Sequence, residues 1–353
     1  MPRRILLLLT DLEIGGTPTV VRELATRLHS PPDVEVEVAC LSKWGPVADQ
    51  IRATGITVTA LNATSPRDAR AIWRVVRLVR RRRFDTVFSF LIHANAVAAA
   101  ASLFVGNVRF LQSIQTTQPE PRWHWRVQRL IHPAAARVVG PSPSVACAAR
   151  ERAGIPPEKF VVIPNAIDPS SFTLADPPPP AGPYRVGFIG RLDPIKRVPL
   201  LVSAVAWLDA LRLEIYGDGP ERALIERQVA ALGVADRVTL HGAVKDAREA
   251  LAHLHVLALP SLAEGFGLVL IEAMAAGVPV VGADAPGIRD VIRDKENGLL
   301  VDPKKRRHFA ASLMGAAMVE TVREPLIRNG LREVRERYSW DVVLPQYRRL
   351  LGI

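Results

Sequence analysis

Short apolar runs alternate with helix-periodic stretches twice along this chain, and a run of four prolines separates the two series. The first series contains ILLLLT, VEVEVACL, ITVTAL, TVFSFL, VRFLQS and RVVGPS, with helical patterns such as 68–82 and 95–104 between them. The second opens with YRVGFIG and continues through LRLEIYG, RVTLHG, HVLALP, VPVVGA and GLLV, with helical patterns at 220–232, 246–253 and 268–276. Alternation of this kind predicts α/β architecture, with parallel sheets covered on both faces. The segment TLADPPPPAGPY, 173–184, reads as a stiff, extended connector rather than part of either core. The expected order is therefore a first α/β domain over 1–172, the connector, and a second α/β domain over 185–337. A final helix, 338–353, is expected to pack back on the first domain.

The composition fits this plan. A chain of 353 residues, 48% apolar and 23% charged, has material for two cores. Its two cysteines, Cys40 and Cys147, lie in separate apolar stretches, which suggests neither a disulfide framework nor a zinc site and suits a reducing cytosol. The apolar part of MPRRILLLLTDLE is too short for a signal sequence or a membrane span and reads as the first buried strand. Residues 1–172 carry 22 Lys+Arg against 13 Asp+Glu, so the basic character belongs to the first half and predicts an anionic partner there.

Most of the chemistry is concentrated in ALPSLAEGFGLVLIEAMAAGVPVV, 258–281. It reads as a buried strand, a glycine-rich turn and a helix over 268–276 closed by Gly277. Gly265 and Gly267 would let backbone amides approach an anion where the helix begins. Glu264 falls in that turn and Glu272 about one turn inside the helix, near the carboxyl edge of the sheet, where open α/β sheets bind ligands. A second reading makes Ser261-x-x-Glu264 a capping box with a purely structural glutamate.

Further candidates lie at other strand ends. Gly190 and Arg191 follow a strand and Lys196 precedes a helix, and a guanidinium fork with a point charge suits a diphosphate. Lys196 alone reads equally well as a solvated cation, and Gly217-Asp218-Gly219-Pro220 alone as a tight turn. Gly15-Gly16-Thr17 join the first strand to a helix, short of a full dinucleotide fingerprint. His93, between the strand TVFSFLI and a helix, could bind a hydroxyl or share a proton, or could be structural.

GGTPTVVRELA, IPNAIDPSSF, GRLDPIKR, GDGPERALIE, DRVTLHGAV, PSLAEGFGLVLIEAMAAGVPVV and PGIRDVI…NGLLVDP occur in the order found in family 4 of the nucleotide-sugar glycosyltransferases, which the chain resembles. The seven-residue interval between Glu264 and Glu272 is a specific part of that likeness. The resemblance implies a GT-B fold: two Rossmann-like domains, with the donor held mainly by the second and the acceptor by the first. It implies that Glu272 binds the donor ribose and that Arg191 and Lys196 neutralise the diphosphate. Glu264 and the backbone of Phe266, Gly267 and Leu268 would hold the transferred sugar. Gly190, Gly217 and Val244 complete the donor side, while Gly16 brings a helix terminus to the phosphate and His93 stands beside the sugar. Glu264, His93, Arg191 and Lys196 are the expected catalytic groups.

The resemblance further implies transfer with retention from a sugar nucleotide, with uridine the commoner base, to a glycan or lipid-linked acceptor. No metal or other cofactor is expected, and no Asp-x-Asp signature occurs. Two departures stand out: GGTPT replaces GGAER, and Arg197 replaces the glycine that usually follows the lysine. An epimerase, a phosphorylase-like enzyme or a non-catalytic scaffold on the same fold remain alternatives. The basic stripe Arg70, Arg74, Arg77 and Arg80, with Trp123 and Trp125, suggests docking on an anionic membrane surface from the cytoplasm. The absence of a recognisable nucleic-acid module argues against a nucleic-acid partner.

Overall fold

The computed structural model describes residues 3–65, 68–179, 182–244 and 246–353. Its contacts divide the chain into two units, Met1–Asn165 with Asp341–Ile353, and Ala166–Trp340. Pro180 and Ala181 of the expected connector lie outside the described residues.

In the first unit the strands are β1 (Arg3–Leu9), β2 (Val34–Cys40), β3 (Thr57–Ala60), β4 (Thr86–Phe90), β5 (Arg109–Ser113), β6 (Arg137–Gly140) and β7 (Phe160–Val162). They form one parallel sheet in the order β3-β2-β1-β4-β5-β6-β7. Ile5–Leu9 are buried throughout, as expected of a strand with both faces covered. The covering helices are α1 (Gly16–Leu28), α2 (Pro46–Arg52), α3 (Arg70–Arg82), α4 (Ile92–Ser102), α5 (Arg122–Ile131) and α6 (Pro143–Ala153). Two of them start earlier than the sequence pattern predicts. Pro18 is tolerated in the first turn of α1, where no intrahelical donor is needed, so the helix takes in Gly16 and Thr17. Helix α4 likewise begins at Ile92, which puts His93 in its first turn.

The second unit has β8 (Tyr184–Ile189), β9 (Leu211–Tyr216), β10 (Val238–Gly242), β11 (Val256–Leu259), β12 (Val280–Ala283) and β13 (Leu299–Val301). They form a parallel sheet in the order β10-β9-β8-β11-β12-β13. Its helices are α7 (Pro199–Trp207), α8 (Arg222–Ala231), α9 (Ala247–Ala252), α10 (Leu268–Ala275), α11 (Arg306–Met318) and α12 (Glu320–Glu333). The last helix, α13 (Trp340–Leu351), packs with the first unit. There Tyr347 is buried 6.4 Å from Phe88, and the Arg109 guanidinium donates to the Leu350 carbonyl at 2.7 Å. No helix among the described residues is long and apolar enough to cross a membrane.

Each sheet reverses its winding once, between β1 and β4 and between β8 and β11. A crevice opens outside the carboxyl ends of the strands at such a switch point, and ligands bind there. The segments that follow these four strands, loops and first helical turns, carry Gly15–Gly16, His93, Gly190–Lys196 and Glu264.

Candidate active site

Hydrogen bonds stitch together the turns at the carboxyl edge of the second sheet. The Gly190 amide donates to Tyr216 O at 2.9 Å, Leu192 to Asp218 O at 2.9 Å, and Gly217 to Gly242 O at 2.7 Å. Gly217 admits no side chain, because a Cβ there would lie 1.9 Å from the Gly190 carbonyl oxygen. The GDGP turn is therefore a close backbone crossing and more than a local bend. Val244 is half-buried in the loop between β10 and α9.

Arg191 is exposed, and its Nε lies 3.0–3.1 Å from the two Asp193 carboxylate oxygens; its terminal nitrogens have no protein partner among the described residues. Lys196 closes a short 3-10 turn, Pro194–Lys196, and its Nζ donates to Glu264 Oε1 at 2.5 Å. Two candidate residues 68 positions apart are thus in direct contact, with both side chains largely buried. A bond from the Leu262 amide to Ile195 O, 2.9 Å, ties their two loops together. Glu264 is fixed from the other side by its amide, which donates to Pro286 O at 3.0 Å.

Arg197 occupies the left-handed region, φ 54° and ψ 36°. Glycine is the natural occupant of such backbone, which accounts physically for the residue that usually follows the lysine. Here a hydrogen bond from Arg197 Nη1 to Pro303 O, 2.8 Å, offsets the strain.

Helix α10 starts at Leu268 with Gly267 as its N-cap, at φ 81°, and no side chain caps it. The capping-box reading fails on this point: Ser261 and Glu264 precede the helix by more than a turn, and Ser261 Oγ is buried with no partner among the described residues. Phe266 is buried edge-on against Tyr338 at 5.4 Å, which anchors the loop beneath the uncapped amides. Glu272 lies on the second turn of α10, and its carboxyl makes no hydrogen bond among the described residues. Burial pushes that carboxyl up to about 7; Asp246 adds to the shift and Arg248 opposes it.

In the first unit Gly16 is the first residue of α1, and no side chain caps that helix. His93 sits above a buried polar network that the sequence reading missed. Ser89 Oγ donates to Asn95 Oδ1 at 2.7 Å, and Asn95 Nδ2 donates to Ser113 O at 2.9 Å and to Gln128 Oε1 at 3.3 Å. Gln128 Nε2 donates in turn to Gln112 Oε1 at 2.8 Å. These amides lock α4 to β4, β5 and α5; a lone Asn inside the run HANAVAAAA was the available signal. Asp193 and Pro286 were also missed, being visible only through what they hold.

The expected membrane surface needs correction. Trp125 is 6% exposed, its Nε1 donates to Gln118 O at 2.8 Å, and the Arg152 guanidinium covers its ring. It is a core residue and cannot meet a membrane. Trp123 is exposed but lies beside His93. The aromatic neighbours of the arginines are instead Trp73 and Phe104, 57% and 42% exposed with ring centroids 4.7 Å apart, next to exposed Leu103. Arg70 pairs with Asp68, Arg74 donates to Leu61 O and Asn62 O, and Arg80 donates to Phe104 O, while Arg77 is exposed. Among the described residues, no three His, Cys, Asp or Glu side chains group as a metal site requires.

Comparison with known proteins accords with this layout. Residues 14–171 match the model of Glycosyltransferase Family 4, and residues 183–317 match that of Glycosyl transferases group 1. Among curated proteins, a D-inositol 3-phosphate glycosyltransferase of Xylanimonas cellulosilytica is 31% identical over 73% of this chain and 64% of its own. A phosphatidyl-myo-inositol mannosyltransferase of Mycobacterium leprae is 36% identical over 54% and 52%. The matches thus span between half and two thirds of these relatives. Among solved structures, Anabaena Alr3699/HepE in complex with UDP and glucose superposes with a TM-score of 0.88 at 21% identity, covering 99% of both chains. Sucrose-phosphate synthase of Thermosynechococcus elongatus gives 0.83 at 20%, covering 99% of this chain and 100% of its own. Motifs, matched models and fold agree: the chain has the GT-B fold of two Rossmann-like units and belongs to glycosyltransferase family 4.

Proposed function

We propose that the protein transfers a glycosyl group from a uridine-diphosphate sugar to a glycan or lipid-linked acceptor, with retention at the anomeric carbon and without a metal ion. The observation that carries this reading is the Glu272 carboxyl, held high by burial and left without a hydrogen-bond donor. Two ribose hydroxyls would supply the missing donors. Arg191 and Lys196 would meet the charge that develops on the diphosphate as the anomeric C–O bond breaks and its electron pair passes to the phosphate oxygen. The acceptor oxygen then bonds to the anomeric carbon on the same face, and its proton ends on the released diphosphate. Glu264, with the backbone from Phe266 to Leu268, would hold the sugar, with His93 beside it and the Gly16 helix terminus facing phosphate. An arriving diphosphate competes for Lys196 and so releases Glu264 towards the sugar. The UDP in the HepE structure supports the base, and the names of the curated relatives support a cyclitol-bearing or lipid-linked acceptor.

Calorimetric titration with UDP and with GDP, both in chelator, tests the donor site. Binding of UDP that disappears in Glu272→Ala is the expected result. Binding of GDP alone replaces the base, and binding of neither nucleotide overturns the donor assignment.

A further inference from the structure

Three rings meet at the carboxyl edge of the first sheet. Trp123 and His124, in the first turn of α5, lie edge to face with centroids 4.1 Å apart at 74°. His93, in the first turn of α4, stands 5.7 Å from Trp123 and 6.1 Å from His124. None of their ring nitrogens has a hydrogen-bond partner among the described residues. Trp123 is 47% exposed, although Trp125, two residues on, is buried and bonded. An indole left open to water beside two unpartnered imidazoles has the makeup of a binding surface: an apolar face with a few convergent polar groups. The surface is also rigid, because the Asn95–Gln128–Gln112 amides lock α4 to α5.

The chemistry of these groups selects a ligand. A flat indole face takes the C–H face of a saturated ring, and imidazole nitrogens give or take hydroxyl hydrogen bonds. Burial, and then the neighbouring His93, hold the His124 imidazole below its usual range, so it meets the ligand neutral. On α5, Arg122 is paired with Glu120 at 3.0 Å, while Arg126, one turn beyond Trp123, is exposed.

We propose that Trp123 and His124, beside His93, form the acceptor platform of the first unit and that its ligand is a cyclic polyol, a pyranose or a cyclitol, stacked on the indole. This proposal rests on the transfer reading above and deepens it by naming the acceptor class and the residues that hold it. Trp123 and His124 bind the acceptor and take no part in donor binding.

Saturation-transfer NMR on the full chain, with methyl α-D-mannopyranoside and myo-inositol as separate probes at millimolar concentration, tests the platform. Transfer to the ring C–H protons of one probe is expected. It should be at least fivefold weaker in Trp123→Leu, largely kept in Trp123→Phe, and reduced in His124→Ala. The responding probe distinguishes pyranose from cyclitol. UDP titration of the same samples serves as the fold control and should match the parent. Transfer to neither probe, or equal transfer in Trp123→Leu with UDP binding intact, overturns the platform. Loss of UDP binding in the parent protein would instead overturn the donor site and leave the platform result standing.

Discussion

At the scale of single residues, the Glu272 carboxyl lowers stability when it is charged. Its folded pKa lies near 7, against 4.5 for an ordinary glutamate. The folded state therefore holds the proton more tightly than the unfolded one. Stability is fully present below about pH 4.5 and falls as pH rises through about 7, after which the penalty is constant. A shift of this size corresponds to about 3 kcal/mol. Glu272→Gln removes the charge and keeps the shape, so it should exceed the parent by up to about that amount at pH 8 and match it at pH 4. Urea unfolding at the two pH values measures the difference. An equal advantage at both would mean that the carboxyl is not desolvated in the folded protein. The same variant should bind UDP more weakly, since a neutral amide is a poorer partner for two hydroxyls than a carboxylate.

At the scale of elements, what holds the carboxyl edge of the second sheet together is the crossing of turns. Gly217→Ala sets a methyl group against the Gly190 carbonyl and must push apart the loops after β8 and β9, the first of which carries Arg191 and Lys196. A loss of about 3 kcal/mol or more in stability is expected, with UDP affinity falling alongside; calorimetry and thermal unfolding report the two. A variant with unchanged melting would show that the turns move apart freely. This crossing marks the limit of what the sequence reveals. Glycines at strand ends were legible as turns, and the runs ILLLL and VLAL as buried strands, because periodicity is local. The contact of Gly217 with Gly190, and of Lys196 with Glu264, arises only when β8 is placed between β9 and β11, and no local pattern encodes that order. Strand β7 escaped notice although β13, equally short, did not: its residues at the sheet edge are half-exposed and carry no buried apolar position. The two tryptophans of α5 were legible in principle. Residues two apart on a helix point roughly 200° away from each other, so one faces the core when the other faces out.

At the scale of the whole molecule, part of the positive charge of the first half lies on α3, whose Arg80 reaches the far end of α4. That helix is 11 residues long and so separates its two ends by about 15 Å. Near its first turn lie His93 and Trp123; just past its last lie Leu103 and Phe104, and the Phe104 ring is tilted against Trp73 of α3, whose arginines include Arg80 bonded to Phe104 O. Apolar rings ringed by guanidinium groups suit the boundary of an anionic bilayer, where each cation near the surface contributes about 1 kcal/mol and the rings enter the headgroup region. Sedimentation with vesicles of phosphatidylglycerol and phosphatidylcholine should therefore carry the protein down at low salt. Binding should fade as the Debye length falls below about 10 Å near 0.1 M salt, and pure phosphatidylcholine should not bind. Trp73→Ala with Phe104→Ala should weaken binding several-fold, and reversing the charge of Arg77 and Arg81 should abolish it. Trp123→Leu should leave vesicle binding at the parental level, because that ring serves the opposite end of α4. Vesicle binding that ignored salt, or that depended on Trp123 and not on Trp73, would remove the membrane surface from α3 and force the basic charge of this unit to be explained by another anionic partner.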